Sequence, residues 1–171
     1  NEIVGISIYD NAKVYMNNCI VSEMSKVGIY FSLGSNQYCE IRDSEISGGW
    51  AALDTGGNST NGRFMVYSSR LEGGSLAVFK ATYRPGPSLI AGCDLIKGTG
   101  PIVQCSPSYE TVTHDMRKNF WGTESEADIQ SWIIDSNDDP NIPATVLYSP
   151  FNGQSVATES RTWGELKALY R

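Results

Sequence analysis

The strongest constraint on the fold of this chain is an internal repeat. Four stretches can be aligned at successive spacings of 25, 25 and 24 residues, and they cover 14–21, 39–46, 64–71 and 88–95. A unit of this length is too short to bury an apolar face by itself, so that neighbouring units must stack on one another. The repeat therefore predicts a solenoid.

Equivalent positions of the four units carry side chains of one kind. An apolar column is followed five residues later by a second apolar column, and small residues lie between the two. The columns hold Met16, Ile41, Val66 and Ile90; Cys19, Ser44, Ser69 and Cys93; and Val21, Ile46, Leu71 and Leu95. Small side chains fit a narrow core without overfilling it. We expect all three columns to face inward.

The remaining parts of each unit indicate β-strands joined by turns. A second alternating run recurs in every unit, at 28–31, 50–53, 76–79 and 101–103. The connections are rich in Gly, Asn, Ser and Thr and have no helical period, which excludes the helix that usually joins parallel strands. The pattern predicts an all-β parallel β-helix of about five coils. A leucine-rich repeat has a similar period but needs several leucines per unit and ranks well below.

The periodicity changes after a fifth unit at 111–123. Ser125 begins an N-cap box, and Ile129, Trp132 and Ile133 share one face of a helix that is predicted to run to about Asp135. Such a helix would cover the apolar end of the coils. We divide the chain into coils at 1–123, a C-terminal cap of helix plus strand at 124–152 and a tail at 153–171.

The C-terminal end carries a family resemblance. The motifs are Asn-Phe-Trp-Gly-Thr at 119–123, Asp-Asp-Pro at 138–140 and Val-Leu-Tyr-Ser-Pro-Phe at 146–151. Together with the coils they resemble the last coils and cap of secreted bacterial right-handed parallel β-helix proteins, the pectate-lyase-like superfamily. The resemblance implies right-handed winding and a secreted or cell-surface location. It implies no single activity, since polysaccharide lyases, glycoside hydrolases, adhesins and stalks share this fold.

The two ends of the sequence suggest a larger context. Ile6 and Ile8 match the later Ile29 and Phe31, so that the chain begins inside a coil, and we expect upstream domains of a longer polypeptide. In the tail, 158–171 has apolar residues at near-helical spacing. A short docked helix is the favoured interpretation, and a sorting signal is the alternative.

Composition narrows the range of partners. The chain has 171 residues, 40% of them hydrophobic, and a net charge of -6. An acidic chain is a poor partner for nucleic acid or for an anionic membrane surface. With no run of 18 apolar residues, we expect no membrane insertion.

The four cysteines are expected to be free. Cys19 and Cys93 share a column three rungs apart, about 14 Å at the usual strand spacing, whereas a disulfide needs Cα atoms within about 7 Å. We predict that both are unbridged core thiols. Cys39 and Cys105 lie in different columns, and free thiols are again favoured.

Two groups of residues are candidates for binding sugar. Glu45, Arg70 and Asp94 fall in one outward column, where carboxylates and a guanidinium would bind sugar acids and hydroxyls; ion pairs that set the strand register are the alternative. Exposed aromatic rings stack on pyranose faces. The aromatic candidates are Trp50, Tyr67 and Tyr83.

A calcium site is weakly indicated. Asp135, Asn137 and Asp139 have the alternating oxygen ligands that open a calcium loop. Pro140 stands where that loop needs glycine and Val146 where it needs glutamate, so that a structural turn is favoured and no cofactor is expected.

The single histidine is a poor catalytic candidate. His114 falls in the column of Val14, Cys39 and Phe64, so that a packed, hydrogen-bonded side chain is expected. No catalytic residues can be assigned.

The sequence as a whole favours an extracellular scaffold that recognises polysaccharide or presents other domains. The alternatives are the C-terminal coils of a polysaccharide lyase or glycoside hydrolase, and a protein-assembly module. If the chain is part of an enzyme, we expect two carboxylates, or a base beside a calcium ion, in one cleft. If the chain recognises polysaccharide, we expect a row of exposed aromatic residues. If it is a protein-assembly module, we expect a large apolar patch.

Overall fold

The computed structural model describes residues 4–9, 12–33, 37–57, 62–82, 86–108 and 111–156. The predicted tail helix at 158–171 and the candidate Tyr83 lie outside these residues. Strands dominate the described part, as predicted. They are β1 (Ile6–Ile8), β2 (Lys13–Asn17), β3 (Ile20–Val21), β4 (Val27–Leu33), β5 (Tyr38–Arg42), β6 (Glu45–Ser47), β7 (Ala51–Gly57), β8 (Arg63–Tyr67), β9 (Arg70–Glu72), β10 (Ala77–Ala81), β11 (Ser88–Ala91), β12 (Asp94–Ile96), β13 (Val103–Cys105), β14 (Val112–Asp115), β15 (Ile133–Ile134) and β16 (Ala144–Leu147).

The strands wind through three parallel sheets in a fixed order. The first sheet is β1-β4-β7-β10-β13-β15, the second is β2-β5-β8-β11-β14-β16, and the third is β3-β6-β9-β12. Four turns contribute a strand to every sheet. In the fifth turn the third-sheet position is held by a single bridge from Phe120 to Asp94. The all-β parallel β-helix predicted from the repeat is confirmed.

The predicted columns are confirmed at the level of strand register. In the second sheet Met16 pairs with Ile41, Ile41 with Val66, and Val66 with Ile90. In the third sheet Val21, Ile46, Leu71 and Leu95 pair in the same way. All eight side chains are buried. The core is thus a stack of like residues.

One residue in each turn has left-handed backbone at the corner between the second and third sheets. These residues are Asn18, Asp43, Ser68, Gly92 and Lys118, with φ between 47° and 64°. Gly92 adopts this conformation at no steric cost, and Asn and Asp tolerate it better than most residues. The corner lets a strand of the second sheet end and a strand of the third begin within two residues.

The small residues beside this corner make a hydrogen-bond ladder between turns. The backbone N–H of Cys19 donates to Ser44 Oγ at 3.1 Å, and that of Ser44 donates to Ser69 Oγ at 3.1 Å. At the far end the N–H of Cys93 donates to Asn119 Oδ1 at 2.8 Å. The column therefore satisfies buried backbone groups that the sheets leave unpaired.

Asn119 completes this ladder in the fifth turn. It is fully buried, and its Nδ2 donates to the carbonyl oxygens of Ile90 at 2.7 Å and Met116 at 2.8 Å. With the bond from Cys93, one side chain satisfies three backbone groups. The sequence placed Asn119 correctly in the column of Cys19.

The only helix in the described part of the chain is shorter than predicted. Helix α1 spans Glu126–Ser131, and Ser125 Oγ accepts the N–H of Asp128 at 3.3 Å as its N-cap. Ile129 is buried, but Ile133 belongs to strand β15, which pairs with β13. The prediction of a helix to about Asp135 is wrong because pairing with β13 satisfies the backbone of the β-branched Ile133 and Ile134.

A row of rings runs along the core and ends at His114. Phe31 and Phe64 lie 5.4 Å apart between ring centroids, Phe64 and Phe79 lie 6.4 Å apart, and Phe79 and His114 lie 5.3 Å apart. His114 is fully buried, as expected. The predicted hydrogen bond is not found, since neither ring nitrogen has a partner among the described residues. Burial lowers the pKa of His114 to about 4.

All four cysteines are free thiols. Cys39, Cys93 and Cys105 are buried, and desolvation raises the pKa of each to about 12. Cys19 is half-buried at the first turn.

Replacing Asn119 with alanine should destabilise the fold by about 3 kcal/mol or more, because one buried N–H and two buried carbonyls lose their partner. Urea unfolding followed by circular dichroism measures this loss. Asn17→Ala, on the exposed side of β2, is the matched control and should change stability by less than about 0.5 kcal/mol. Equal effects of the two substitutions would contradict the ladder.

His114 should make the protein less stable in acid. Its pKa is lowered on folding, so that its neutral form stabilises the native state above the unfolded pKa of about 6.5. This contribution, about 3 kcal/mol, is lost as the pH falls from about 6.5 to 4. The difference in unfolding free energy between His114→Phe and the unsubstituted protein should change by that amount across this window. If the unfolding free energies of the two proteins depend on pH in the same way, His114 is not the group that destabilises the protein in acid.

Thiol labelling should separate Cys19 from the other three. Protonated, buried thiols react slowly, so that a disulfide reagent should modify one thiol quickly in the native protein and four in denaturant. Cys19→Ser should remove the fast phase. Rapid labelling of two thiols in the native protein would be incompatible with the structure, and so would labelling of fewer than four thiols in denaturant without a reductant.

Candidate functional site

The outer face of the second sheet carries the strongest candidate site. Side chains of β2, β5 and β8 alternate between the core and this face. The register pairs Tyr15 with Glu40 and Arg42 with Tyr67, and Tyr38 lies on the same strand as Glu40. We call Tyr15, Tyr38, Glu40, Arg42 and Tyr67 the tyrosine–arginine cluster.

Two tyrosines form the aromatic part of this cluster. The rings of Tyr15 and Tyr38 have centroids 5.4 Å apart and are inclined at 43°. Tyr15 is 69% exposed, among the highest values for a large apolar side chain in the described residues. An exposed ring supported by a second ring offers a firm stacking surface at low entropic cost.

Glu40 connects the two halves of the cluster. Its Oε2 accepts the hydroxyl of Tyr38 at 2.5 Å, and its Oε1 accepts Nε of Arg42 at 2.5 Å. The guanidinium carbon of Arg42 lies 4.4 Å from the ring centroid of Tyr67. The side chains of Tyr38, Arg42 and Tyr67 are thus held in place by their neighbours.

These contacts determine the protonation states. The hydrogen bond to Glu40 raises the pKa of Tyr38 to about 12. Hydrogen bonds from Tyr38 and Arg42 lower the pKa of Glu40, and the bond to Glu40 raises the pKa of Arg42. Near neutral pH the cluster holds a phenol, a carboxylate and a guanidinium.

The surroundings of the cluster are basic although the chain is acidic. Lys13 and Arg63 pair in register with Tyr38, on either side of it, and both are exposed. With Arg42 they give three cations against two carboxylates, Glu40 and Asp43, and the charge of Asp43 also raises the pKa of Arg42. This arrangement favours a ligand with acceptor oxygens or negative charge.

The predicted charge column is in register, but its members differ in environment. Glu45 pairs with Arg70, and Arg70 with Asp94, on the third sheet. Arg70 Nη2 lies 3.2 Å from Glu72 Oε2. Asp94, expected to face solvent, is buried because the chain passes over it; Ser155 Oγ and the N–H of Val156 donate to its carboxylate.

The sequence candidates do not converge on one site. Tyr67 belongs to the tyrosine–arginine cluster, and the column of Glu45 lies on the third sheet. Trp50 precedes β7 at the corner with the first sheet, where Lys26 Nζ lies 4.5 Å from the centroid of its ring. The five candidates in the described part therefore divide among separate faces, and the sixth, Tyr83, lies outside it.

Two of the three calcium candidates, Asp135 and Asp139, bind backbone N–H groups. Asp135 is buried, and its two carboxylate oxygens accept the N–H groups of Asn137 at 2.9 Å and Val146 at 2.8 Å. Asp139 Oδ1 accepts the N–H of Asn141. Within the described ranges no three His, Cys, Asp or Glu side chains are placed to hold a metal ion. These contacts are those of a structural turn.

A second polar cluster lies on the outer face of the first sheet. Asp54 Oδ2 is 3.6 Å from Lys80 Nζ, and Asp54 Oδ1 accepts the hydroxyl of Thr82 at 2.5 Å. Tyr30 pairs with Asp54 in register. Burial raises the pKa of Tyr30, and the charge of Asp54 raises it further by a smaller amount. The column Ser7, Tyr30, Asp54, Lys80, Gln104 contains one carboxylate. Glycoside hydrolysis by an acid–base pair needs two.

Tyr38 and Glu40 were not among the sequence candidates. Both alternate with the buried Cys39 and Ile41, so that the period of two places them outward. Their grouping with Tyr15 and Arg42 depends on side-chain directions across two strands. The 25-residue spacing already pairs Tyr15 with Glu40, but the ring contact of Tyr15 with Tyr38 and the bond of Glu40 to Arg42 are visible only in the structure.

Comparisons with known proteins return nothing: no family model, curated protein or solved structure is similar enough to count as a match. Among the residues that the structure describes, no helix has the length and apolar character needed to span a bilayer.

Proposed function

We propose that this chain is a segment of a secreted or cell-surface β-helix protein and that it binds polysaccharide at the tyrosine–arginine cluster. The observation that carries the proposal is the exposed Tyr15 ring beside Tyr38, next to the Glu40–Arg42 pair. The motifs at 119–151 support the extracellular location and membership of the pectate-lyase-like superfamily.

The cluster has the chemistry that sugar recognition requires. A pyranose ring presents an apolar face of C–H groups to an aromatic ring, and its hydroxyls need both donors and acceptors. Tyr15 and Tyr38 supply the rings. Arg42 uses Nε for Glu40, which leaves its terminal nitrogens as donors, while Glu40 supplies acceptor oxygens.

The shape and charge of the face define the preferred ligand. The cluster lies on an open sheet surface that extends over successive turns, which suits a linear polymer better than a small molecule. The cations Lys13, Arg42 and Arg63 outnumber the carboxylates of Glu40 and Asp43, so that acidic polysaccharides bind more tightly than neutral ones. That preference weakens at high salt because exposed charges are screened.

The arrangement of the described residues favours recognition over the two alternatives. The first-sheet cluster offers one carboxylate, whereas acid–base hydrolysis of a glycoside needs two, and its Lys80 is engaged by Asp54. Three of the six exposed large apolar residues in the described part, Tyr15, Ile20 and Trp50, lie on different faces. They do not form the single apolar patch that assembly requires.

The proposal predicts that Tyr15→Ala weakens polysaccharide binding about tenfold, since aromatic stacking contributes roughly 1 kcal/mol or more. A glycan array on the purified chain identifies the ligand, and calorimetry measures its affinity. Trp50→Ala is the matched control, because it removes an exposed ring on another face.

Three results would contradict the proposal. A silent array would remove polysaccharide as the ligand. Loss of binding in Trp50→Ala but not in Tyr15→Ala would move the site to the corner of the first sheet. Release of reducing ends from the bound polymer, abolished by Asp54→Asn, would support the lyase or hydrolase alternative.

A further inference from the structure

A pocket at the C-terminal end of the solenoid lies apart from the tyrosine–arginine cluster. It has a volume of about 350 Å³, and its walls include Gln130 of α1, Asn137 and Asp138 of the following turn, and Tyr148 after β16. Small-molecule sites occupy about 300–1,000 Å³ and combine apolar walls with a few polar groups. We call this cavity the Tyr148 pocket.

The aromatic wall of the Tyr148 pocket is fixed from behind. Gln130 Nε2 donates to the hydroxyl of Tyr148 at 2.6 Å, and this hydroxyl donates to Glu126 Oε1 at 3.2 Å. The ring packs edge-on against the buried Trp121, with centroids 6.3 Å apart. The ring is therefore held in position without a ligand.

The opposite wall is also rigid. Asp135 holds the turn against β16 through the N–H groups of Asn137 and Val146. Asp138 Oδ2 accepts the N–H of Asp135 at 3.1 Å. Its other carboxylate oxygen has no hydrogen-bond partner in the described ranges, and the same is true of the side-chain oxygens of Gln130 and Asn137.

The segment that lines the pocket carries charge of one sign, although the cation of Lys97 lies 5.9 Å from the ring centroid of Trp132 in that segment. Residues 119–156 contain six acidic side chains and no Lys, Arg or His; the acidic residues are Glu124, Glu126, Asp128, Asp135, Asp138 and Asp139. The local field repels anions and attracts cations. The pocket thus combines a fixed aromatic ring, unpaired acceptor oxygens and a negative potential.

We propose that the Tyr148 pocket binds a protonated primary amine on a small organic frame. An ammonium group has three donors and no acceptor, which matches the three oxygens of Gln130, Asn137 and Asp138. Ile133 and Val146 provide an apolar surface for the frame, and the ring of Tyr148 attracts a cation. An amino sugar and a lysine side chain both have this chemistry.

The test is a titration of the full ¹⁵N-labelled chain followed by NMR at about pH 6.5, where the amine is protonated. The probes are glucosamine, with N-acetylglucosamine as its neutral control, and the end-capped peptide acetyl-Gly-Lys-Gly-amide, with its Nε-acetyl-lysine form as its neutral control. We expect saturable shifts of the amides around Gln130, Asn137 and Tyr148 with at least one free amine. The two arms distinguish the sugar source from the peptide source.

Two variants make the test specific. Asp138→Asn keeps the acceptor for the Asp135 N–H but removes the charge, and it should weaken binding about tenfold or more. Glu124→Gln removes an equal charge outside the pocket and should leave the affinity within about twofold. No shifts with either amine, equal binding of the neutral controls, or unchanged affinity in Asp138→Asn would overturn the proposal. Failure of this test leaves the polysaccharide proposal intact, since that site lies on another face.

Discussion

The left-handed corner between the second and third sheets is the constraint on which the rest of the structure depends. It recurs at Asn18, Asp43, Ser68, Gly92 and Lys118, and it fixes where each turn changes direction. With the corners aligned, strands pair in parallel register and like residues stack. The ladder of Ser44, Ser69 and Asn119 then satisfies the backbone beside each corner, where a sheet alone would leave donors unpaired.

The proposed polysaccharide site follows from the same geometry. Parallel rungs lie about 4.8 Å apart, so that residues of successive turns act as neighbours on one surface. Tyr15 comes from the first turn, Glu40 and Arg42 from the second and Tyr67 from the third. None of these side chains needs a loop to position it. The sheet itself is rigid enough to hold a flat recognition surface.

The repeat was sufficient to predict the fold, but not the environment of individual polar residues. Column membership follows from spacing, and Met16, Asn119 and His114 all lie where the spacing places them. Asp94 is buried because residues 155–156 return to it from 61 and 62 positions away, a contact that no local pattern encodes. The helix ends early for a similar reason, since pairing of Ile133 with Val103 outweighs the helical period. The tyrosine–arginine cluster also depends on contacts that a column alignment does not contain: Tyr15 with Tyr38 on a diagonal, and Glu40 with its strand neighbours Tyr38 and Arg42.

The alignment of corners also has a consequence for how such a chain can change in length. If one whole turn that contains β5 were deleted, β2 would pair with β8 instead, and residues 14–17 would meet side chains of the same kind as before. Loss of a single residue inside a strand would instead rotate every later side chain by half a period and expose the apolar ones. Within the strands, the fold can therefore gain or lose a whole turn with far less damage than a single residue.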